Sequence, residues 1–79
     1  MENKIAIIGI IVKNIESVPK LNKILSEYGK HIIGRMGIPH KEKETNIITI
    51  VIESTQEIID NLSNKIKTLD GISNLKIKF

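Results

Sequence analysis

Ten residues near the start, Lys4 to Lys13, read KIAIIGIIVK. Side chains along a strand alternate between faces. Ile5, Ile7 and Ile11 therefore share one side with Gly9, and Ala6, Ile8, Ile10 and Val12 share the other. Both sides are aliphatic. A strand of this kind is central in its sheet and needs cover on both faces. Its β-branched content favours a strand over a helix. The segment does not read as a leader peptide, because it has an acid at position 2 and no small-residue cleavage site. No apolar run in the chain reaches the roughly 18 residues of a membrane span.

The next stretch, NIESVPKLNKILSEYG, carries Val18, Leu21, Ile24, Leu25 and Tyr28 at helical spacing. Ser17 is the expected N-cap, Pro19 fits the first turn, and Gly29 is the expected left-handed C-cap. A second strand follows over roughly Lys30 to Pro39, then a polar loop, His40 to Glu44, and a third strand, Thr45 to Glu53, reading TNIITIVIE. STQEIIDNLSNKIKTLDG is the second helix. Ser54 and Glu57 have capping-box spacing, Ile58, Leu62, Ile66 and Leu69 form its stripe with Ile59 beside them, and Gly71 closes it. The chain ends ISNLKIKF, with Leu75, Ile77 and Phe79 alternating against Lys76 and Lys78.

The order is β-α-β-β-α-β over residues 1–79, with no linker and no low-complexity segment. One α+β domain with a ferredoxin-like βαββαβ sandwich is expected. Right-handed crossovers favour an antiparallel sheet of order 4-1-3-2 with both helices on one face. The Gly, Pro, Arg and Lys residues fall on the second and fourth strands, where edges belong. Alternation places Ile32, Met36, Ile38, Ile48, Ile50, Ile52, Leu75, Ile77 and Phe79 toward the helices. It places His31, Ile33, Arg35, Thr49, Val51, Glu53, Lys76 and Lys78 on the uncovered face, with one of the isoleucine sets of the first strand.

That face is apolar in the middle and charged at its rim, the signature of a partner surface. Covering about 600 Å² of it gives on the order of 15 kcal/mol of gross transfer energy, which association and ordering costs then offset in part. The chain has 79 residues and no cysteine. A chain so short buries only about 60–65% of its unfolded surface, and disulfides are excluded as a supplement. A homo-oligomer, dimer or tetramer, is therefore expected, joined through this face, its edges, or both. The lack of cysteine also fits a reducing cytoplasm. Net charge is only +3. Basic residues interleave with acids, as in HKEKET, so direct nucleic-acid binding is not expected.

The second strand, HIIGRMGIPH from His31 to His40, interrupts its isoleucines with two glycines and an arginine. Glycines on an edge strand permit a bulge or the close approach of another backbone or a ligand. Three readings follow: an edge bent to protect or pair its rim, a subunit-interface pocket with Arg35 as anion anchor, or a catalytic loop. If Pro39 pairs with Thr45, Arg35 opposes Thr49 and His31 opposes Glu53 in a charge-assisted contact. A bulge at Gly34 or Gly37 would shift that register. His31 and His40 are the only histidines, nine residues apart, and have no ligand-spaced companion. No metal and no cofactor is therefore expected. No nucleophile triad, phosphate loop or set of RNA-stacking aromatics is present.

The start IAIIGIIV, the helix ending EYG, the strand HIIGRMGIP and the closing LDGISNLK together resemble the iron-only hydrogenase system regulators. The likeness runs nearly end to end and is most specific from Tyr28 to Pro39. It implies an ACT-like fold, similar to the C-terminal ligand domain of the nickel-responsive repressor. It also implies an oligomeric regulatory or sensing module of the hydrogenase system, with Arg35, Met36 and Gly37 in the signature strand. The chain departs from the nickel repressor in lacking a ribbon-helix-helix domain and the His/Cys set that holds nickel. Any part in transcription regulation is then expected to be indirect.

The expected function is a non-enzymatic, cytoplasmic regulatory module that binds a small ligand at a subunit interface. Tyr28, His31, Gly34, Arg35, Met36, Gly37 and Glu53 are the candidate ligand or interface residues. The alternatives are a protein-interaction adaptor that docks through the second-strand edge, and a small enzyme with His31 as base.

Overall fold

The computed structural model describes residues 3–40 and 45–78, and of residues 74–78 the backbone. The elements are β1 (Lys4–Val12), α1 (Val18–Glu27), β2 (Ile32–His40), β3 (Thr45–Ser54), α2 (Gln56–Lys67) and β4 (Ile72–Lys78). Short 3-10 turns at Ile15–Ser17 and Gly29–His31 precede α1 and β2. The four strands form one sheet in the order β2-β3-β1-β4. That is the expected 4-1-3-2 read from the other edge. Every pairing is antiparallel.

The core lies between one sheet face and the two helices. β1 contributes Ala6, Ile8, Ile10 and Val12, and β3 contributes Ile48, Ile50 and Ile52. Leu21 and Leu25 come from α1, and Ile59, Leu62 and Ile66 from α2. The other isoleucine set of β1 stays partly in water, with Ile5 42% and Ile11 41% exposed. The two-sided character of β1 is thus met by helices on one side only.

Local chemistry departs from the sequence expectation at both ends of α1 and at the start of α2. Ser17 makes no side-chain cap. Its hydroxyl donates to the Asp70 carbonyl at 2.7 Å, and Asn14 Oδ1 instead accepts the Glu16 N–H at 3.0 Å, one turn earlier. Gly29 has no positive φ. The chain tightens there into a 3-10 turn, with His31 N–H donating to the Tyr28 carbonyl at 2.9 Å, a common way to satisfy a helix end. Thr55, rather than Ser54, caps α2, its Oγ1 accepting from Ile58 N–H at 3.3 Å. β3 runs one residue further than expected and takes Ser54 inward, where it is buried.

The larger departure is in β2. Ile32 pairs with Ile52, but Gly34 pairs with Val51, so Ile33 is an extra residue in the ladder. Beyond it, Arg35 opposes Ile50, Met36 opposes Thr49 and Pro39 opposes Asn46. The expected pairing of Pro39 with Thr45 and Arg35 with Thr49 is therefore off by one. Directly opposed residues share a face. Arg35 moves to the helix side, whereas Met36 and Ile38, expected in the core, move to the open face and are 57% and 48% exposed. A one-residue slip inverts every side chain after it. The orientations expected for Leu75, Lys76, Ile77 and Lys78 concern side chains outside the described set, and Phe79 lies wholly outside the described residues.

Gly71 is where a glycine is required. Its φ is +69°, and a Cβ there would fall 2.4 Å from the Asn14 Cβ. Its carbonyl accepts the Lys13 N–H at 2.7 Å, so the turn after α2 is stitched to the end of β1. Gly71→Ala is expected to lose at least about 2 kcal/mol, from left-handed strain plus the clash. Gly29→Ala, with nothing within 4 Å of its Cβ position, is expected to be neutral or slightly stabilising. Urea denaturation of the two variants checks the contrast.

Candidate functional site

The bulge sorts the candidate residues. Arg35 projects toward α1, and its Nη2 donates to Asn22 Oδ1 at 2.9 Å. Met36, next along the strand, lies on the open face with Ile38, opposite Thr49 and Ile47. Gly34 falls opposite Val51 and Gly37 opposite Ile48. From Arg35 to His40 every residue of β2 is exposed, whichever face it is on. The helices thus leave this strand uncovered.

His31 stands at the other end of β2, in the 3-10 turn, half-buried. Its Nδ1 lies 3.1 Å from the hydroxyl of Ser54, which is only 3% exposed. The expected partner was Glu53. Glu53 instead sits opposite Ile5 and is exposed. The register here is the expected one, but His31 lies in the 3-10 turn ahead of β2, and β3 turns Ser54 to the helix side with Ile52 and Glu53 to the other. Tyr28 belongs to a third location. It caps α1, half-buried, and the Lys65 ammonium of α2 lies 5.2 Å from its ring centroid, within cation–π range.

The seven candidates therefore form no single pocket. Arg35, Met36 and Gly37 are contiguous but split between faces, His31 is tied to Ser54, and Tyr28 packs with α2. Among the described residues no three of His, Asp and Glu converge to hold a metal. Tyr28 borders a shallow depression of about 380 Å³ with Asn61, Asn64, Lys65 and Thr68, and two others lie at the far end of the sheet. A depression of about 360 Å³ there is lined by Val12, Lys13, Ile15, Pro39, His40 and Asn46. On the other side of the same end, Ile11, Lys13, His40 and Ile47 border a second, of about 400 Å³. Sequence reading left His40 in a loop and gave Lys13 no role. Asn22 and Ser54, the partners of Arg35 and His31, were also missed, since one polar residue on a helix and one serine beside a cap carry no distinguishing pattern.

Comparison with solved structures places the fold in the ferredoxin-like class of small α+β domains. The uncharacterized protein TM1266 from Thermotoga maritima superposes with a TM-score of 0.94 at 24% identity, over 99% of each chain. A formyltetrahydrofolate deformylase from Pseudomonas putida KT2440 gives 0.65 at 8% identity, over 92% of this chain and 28% of that one. CPII, a nitrogen regulatory PII-like protein from Thiomonas intermedia K12 solved with ADP, AMP and bicarbonate, gives 0.52 at 12% identity, over 100% and 99%. No curated protein matches the chain. Residues 4–76 match the TM1266-like family, described as "Iron-only hydrogenase system regulator, putative", and the chain belongs to that family.

The His31 assignment can be checked directly. Ser54→Ala leaves a half-buried ring nitrogen without its partner and is expected to cost about 1–2 kcal/mol. Glu53→Ala is expected to stay within about 0.5 kcal/mol of wild type. Chemical denaturation of both variants distinguishes the two pairings.

Proposed function

We propose that this chain is a non-enzymatic regulatory module of the iron-only hydrogenase system that acts as a homo-oligomer in the cytoplasm and holds a small ligand at a subunit boundary. The observation that carries the reading is the uncovered sheet face. Ile5, Ile11, Met36 and Ile38 are each between 41% and 57% exposed there. Strands about 4.8 Å apart and roughly 30 Å long give such a face a footprint on the order of 570 Å². That approaches the area per partner of a standard specific interface. Family membership supports the regulatory part of the reading. The ligand part is supported by Arg35, an exposed guanidinium held at a fixed position by Asn22, and by the small anions bound in the PII-like protein that shares the fold. Any effect on transcription is then exerted through other proteins.

A second reading, an adaptor that docks a protein partner through β2, is favoured by the exposure of that strand on both faces. A hydrogenase-maturation or transcription protein captured by wild type and lost with Arg35→Glu, with no small-molecule stabilisation, would select it.

Light scattering is expected to give a multiple of the 8.9 kDa chain mass. Ile11→Lys is expected to lower the mass below that of wild type with the circular dichroism spectrum retained. In thermal-shift assays with ADP, AMP, bicarbonate and phosphate, at least one anion is expected to raise the wild-type midpoint, and Arg35→Ala to abolish the rise. A wild type that responds to none of them ends the sensing half of the proposal and leaves the assembly half standing.

A further inference from the structure

Neither crowding nor a left-handed backbone within the chain requires the two glycines of β2. A Cβ on Gly34 would meet Val51 at 3.9 Å, an ordinary contact, and one on Gly37 would meet nothing within 4 Å. Neither has a positive φ, a feature confined to Gly71 among the described glycines. A bare position that its own chain does not need leaves room for something outside it.

Pro39 sets the phase of the strand. It opposes Asn46. Lacking an N–H, it belongs at a pair that exchanges no hydrogen bonds, with its missing donor toward the free edge. Pairs alternate along an antiparallel ladder. Gly37 with Ile48 and Arg35 with Ile50 are then also pairs without mutual bonds. The N–H and C=O groups of Arg35 and Gly37 therefore point outward, from an edge exposed on both faces.

We propose that β2 pairs with β2 of a second copy, antiparallel about a two-fold axis at Met36, giving one continuous sheet across two chains. Each Arg35 then exchanges backbone hydrogen bonds with the partner's Gly37, and Met36 faces the partner's Met36. Gly34 stands across from the partner's Ile38, and the glycine supplies the clearance that side chain requires. Gly37 does the same for the partner's Arg35. Asn22 holds each guanidinium back over its own helix, which keeps the two like charges off the axis. The neighbouring registers are worse. Centring on Gly37 sets Arg35 against the partner's Pro39, which has no N–H to give. Centring on Arg35 sets the two cations directly opposite and brings the bulge into the ladder.

This proposal rests on the self-association reading above and specifies one contact of it. The chain has no cysteine, so Met36→Cys provides a single thiol. At the axis the two Cα atoms would lie about 4.5 Å apart, within the disulfide range of roughly 4.4–6.8 Å. Ile38→Cys would place its pair about 14 Å apart. Mild oxidation is expected to convert Met36→Cys to covalent dimer at least about tenfold faster than Ile38→Cys, by the difference in reach. Gly37→Pro in the Met36→Cys background is expected to keep the circular dichroism spectrum and lose the cross-link, because Gly37 gives β3 no bond. An oligomeric wild type whose two thiol variants cross-link at equal rates overturns the edge register alone. A wild type that scatters as one 8.9 kDa chain overturns this proposal and the assembly reading together.

Discussion

A four-stranded sheet has two faces, and two helices of ten and twelve residues cover one of them. β1 is apolar on both. Its even-numbered set, Ala6, Ile8, Ile10 and Val12, is at most 1% exposed, whereas Ile5 and Ile11 keep about two-fifths of their surface in water. Burying an isoleucine side chain fully is worth about 1.5–3 kcal/mol, so the isolated chain leaves several kcal/mol of transfer energy unused. For a domain of 79 residues with no disulfide, that is comparable to a large part of the net stability such a domain has. The sequence of β1 makes sense as a strand whose second face is covered by something outside the chain.

The bulge at Ile33 determines how much is available to be covered. Without it, alternation would carry Met36 and Ile38 beneath the helix layer and Arg35 onto the open face. With it, two apolar side chains join Ile5 and Ile11 on the open side, and the cation is removed to the helix side, where Asn22 receives it. One inserted residue exchanges a charge for hydrophobic surface on the same face. It also splits β2 into a short segment anchored through Ile32, packed against the core, and a longer one held to the molecule chiefly through its ladder with β3.

Periodicity explains what could be read in advance. β1, β3 and the two helices carry strong, unbroken aliphatic patterns, and most of their core residues follow from spacing, although Ile59 rather than Ile58 enters the core from α2 and spacing did not choose which face of β1 meets the helices. The failures share one cause, that adjacent residues of similar chemistry cannot be ranked by pattern. Asn14 and Ser17 can each cap, as can Ser54 and Thr55, and tertiary partners decided between them: Asp70 took Ser17 and His31 took Ser54. Gly29 and Gly71 both follow helices, yet only Gly71 lies against Asn14. In β2 the glycines announced an irregularity without locating it: a shift of one residue moved Arg35 to the other face, whereas His31 precedes the bulge, lies in a 3-10 turn rather than in the strand, and meets Ser54 instead of Glu53. A candidate site concentrated on the one irregular strand inherits that error in full.

The distribution of tertiary ties bears on which part of the molecule interacts with others. At one end Asn14, Ser17, Asp70 and Gly71 bind the entry of α1 to the exit of α2 through a bond from Asn14 Nδ2 to Asp70 at 3.3 Å, the Ser17 hydroxyl and the Lys13–Gly71 backbone bond. The helices are thereby fixed to each other and to β1. Among the described residues β2 has no comparable clasp along Met36–His40. It has the His31–Ser54 contact at its start, the Arg35–Asn22 contact beyond the bulge, and water on both faces thereafter. An exposed edge strand bearing apolar side chains is a hazard that proteins ordinarily blunt with charge, proline or a covering element. Here Pro39 and the bulge serve at the ends, while Met36, Gly37 and Ile38 between them are left open. That gap in the protection is expected if the cover comes from another copy of the chain.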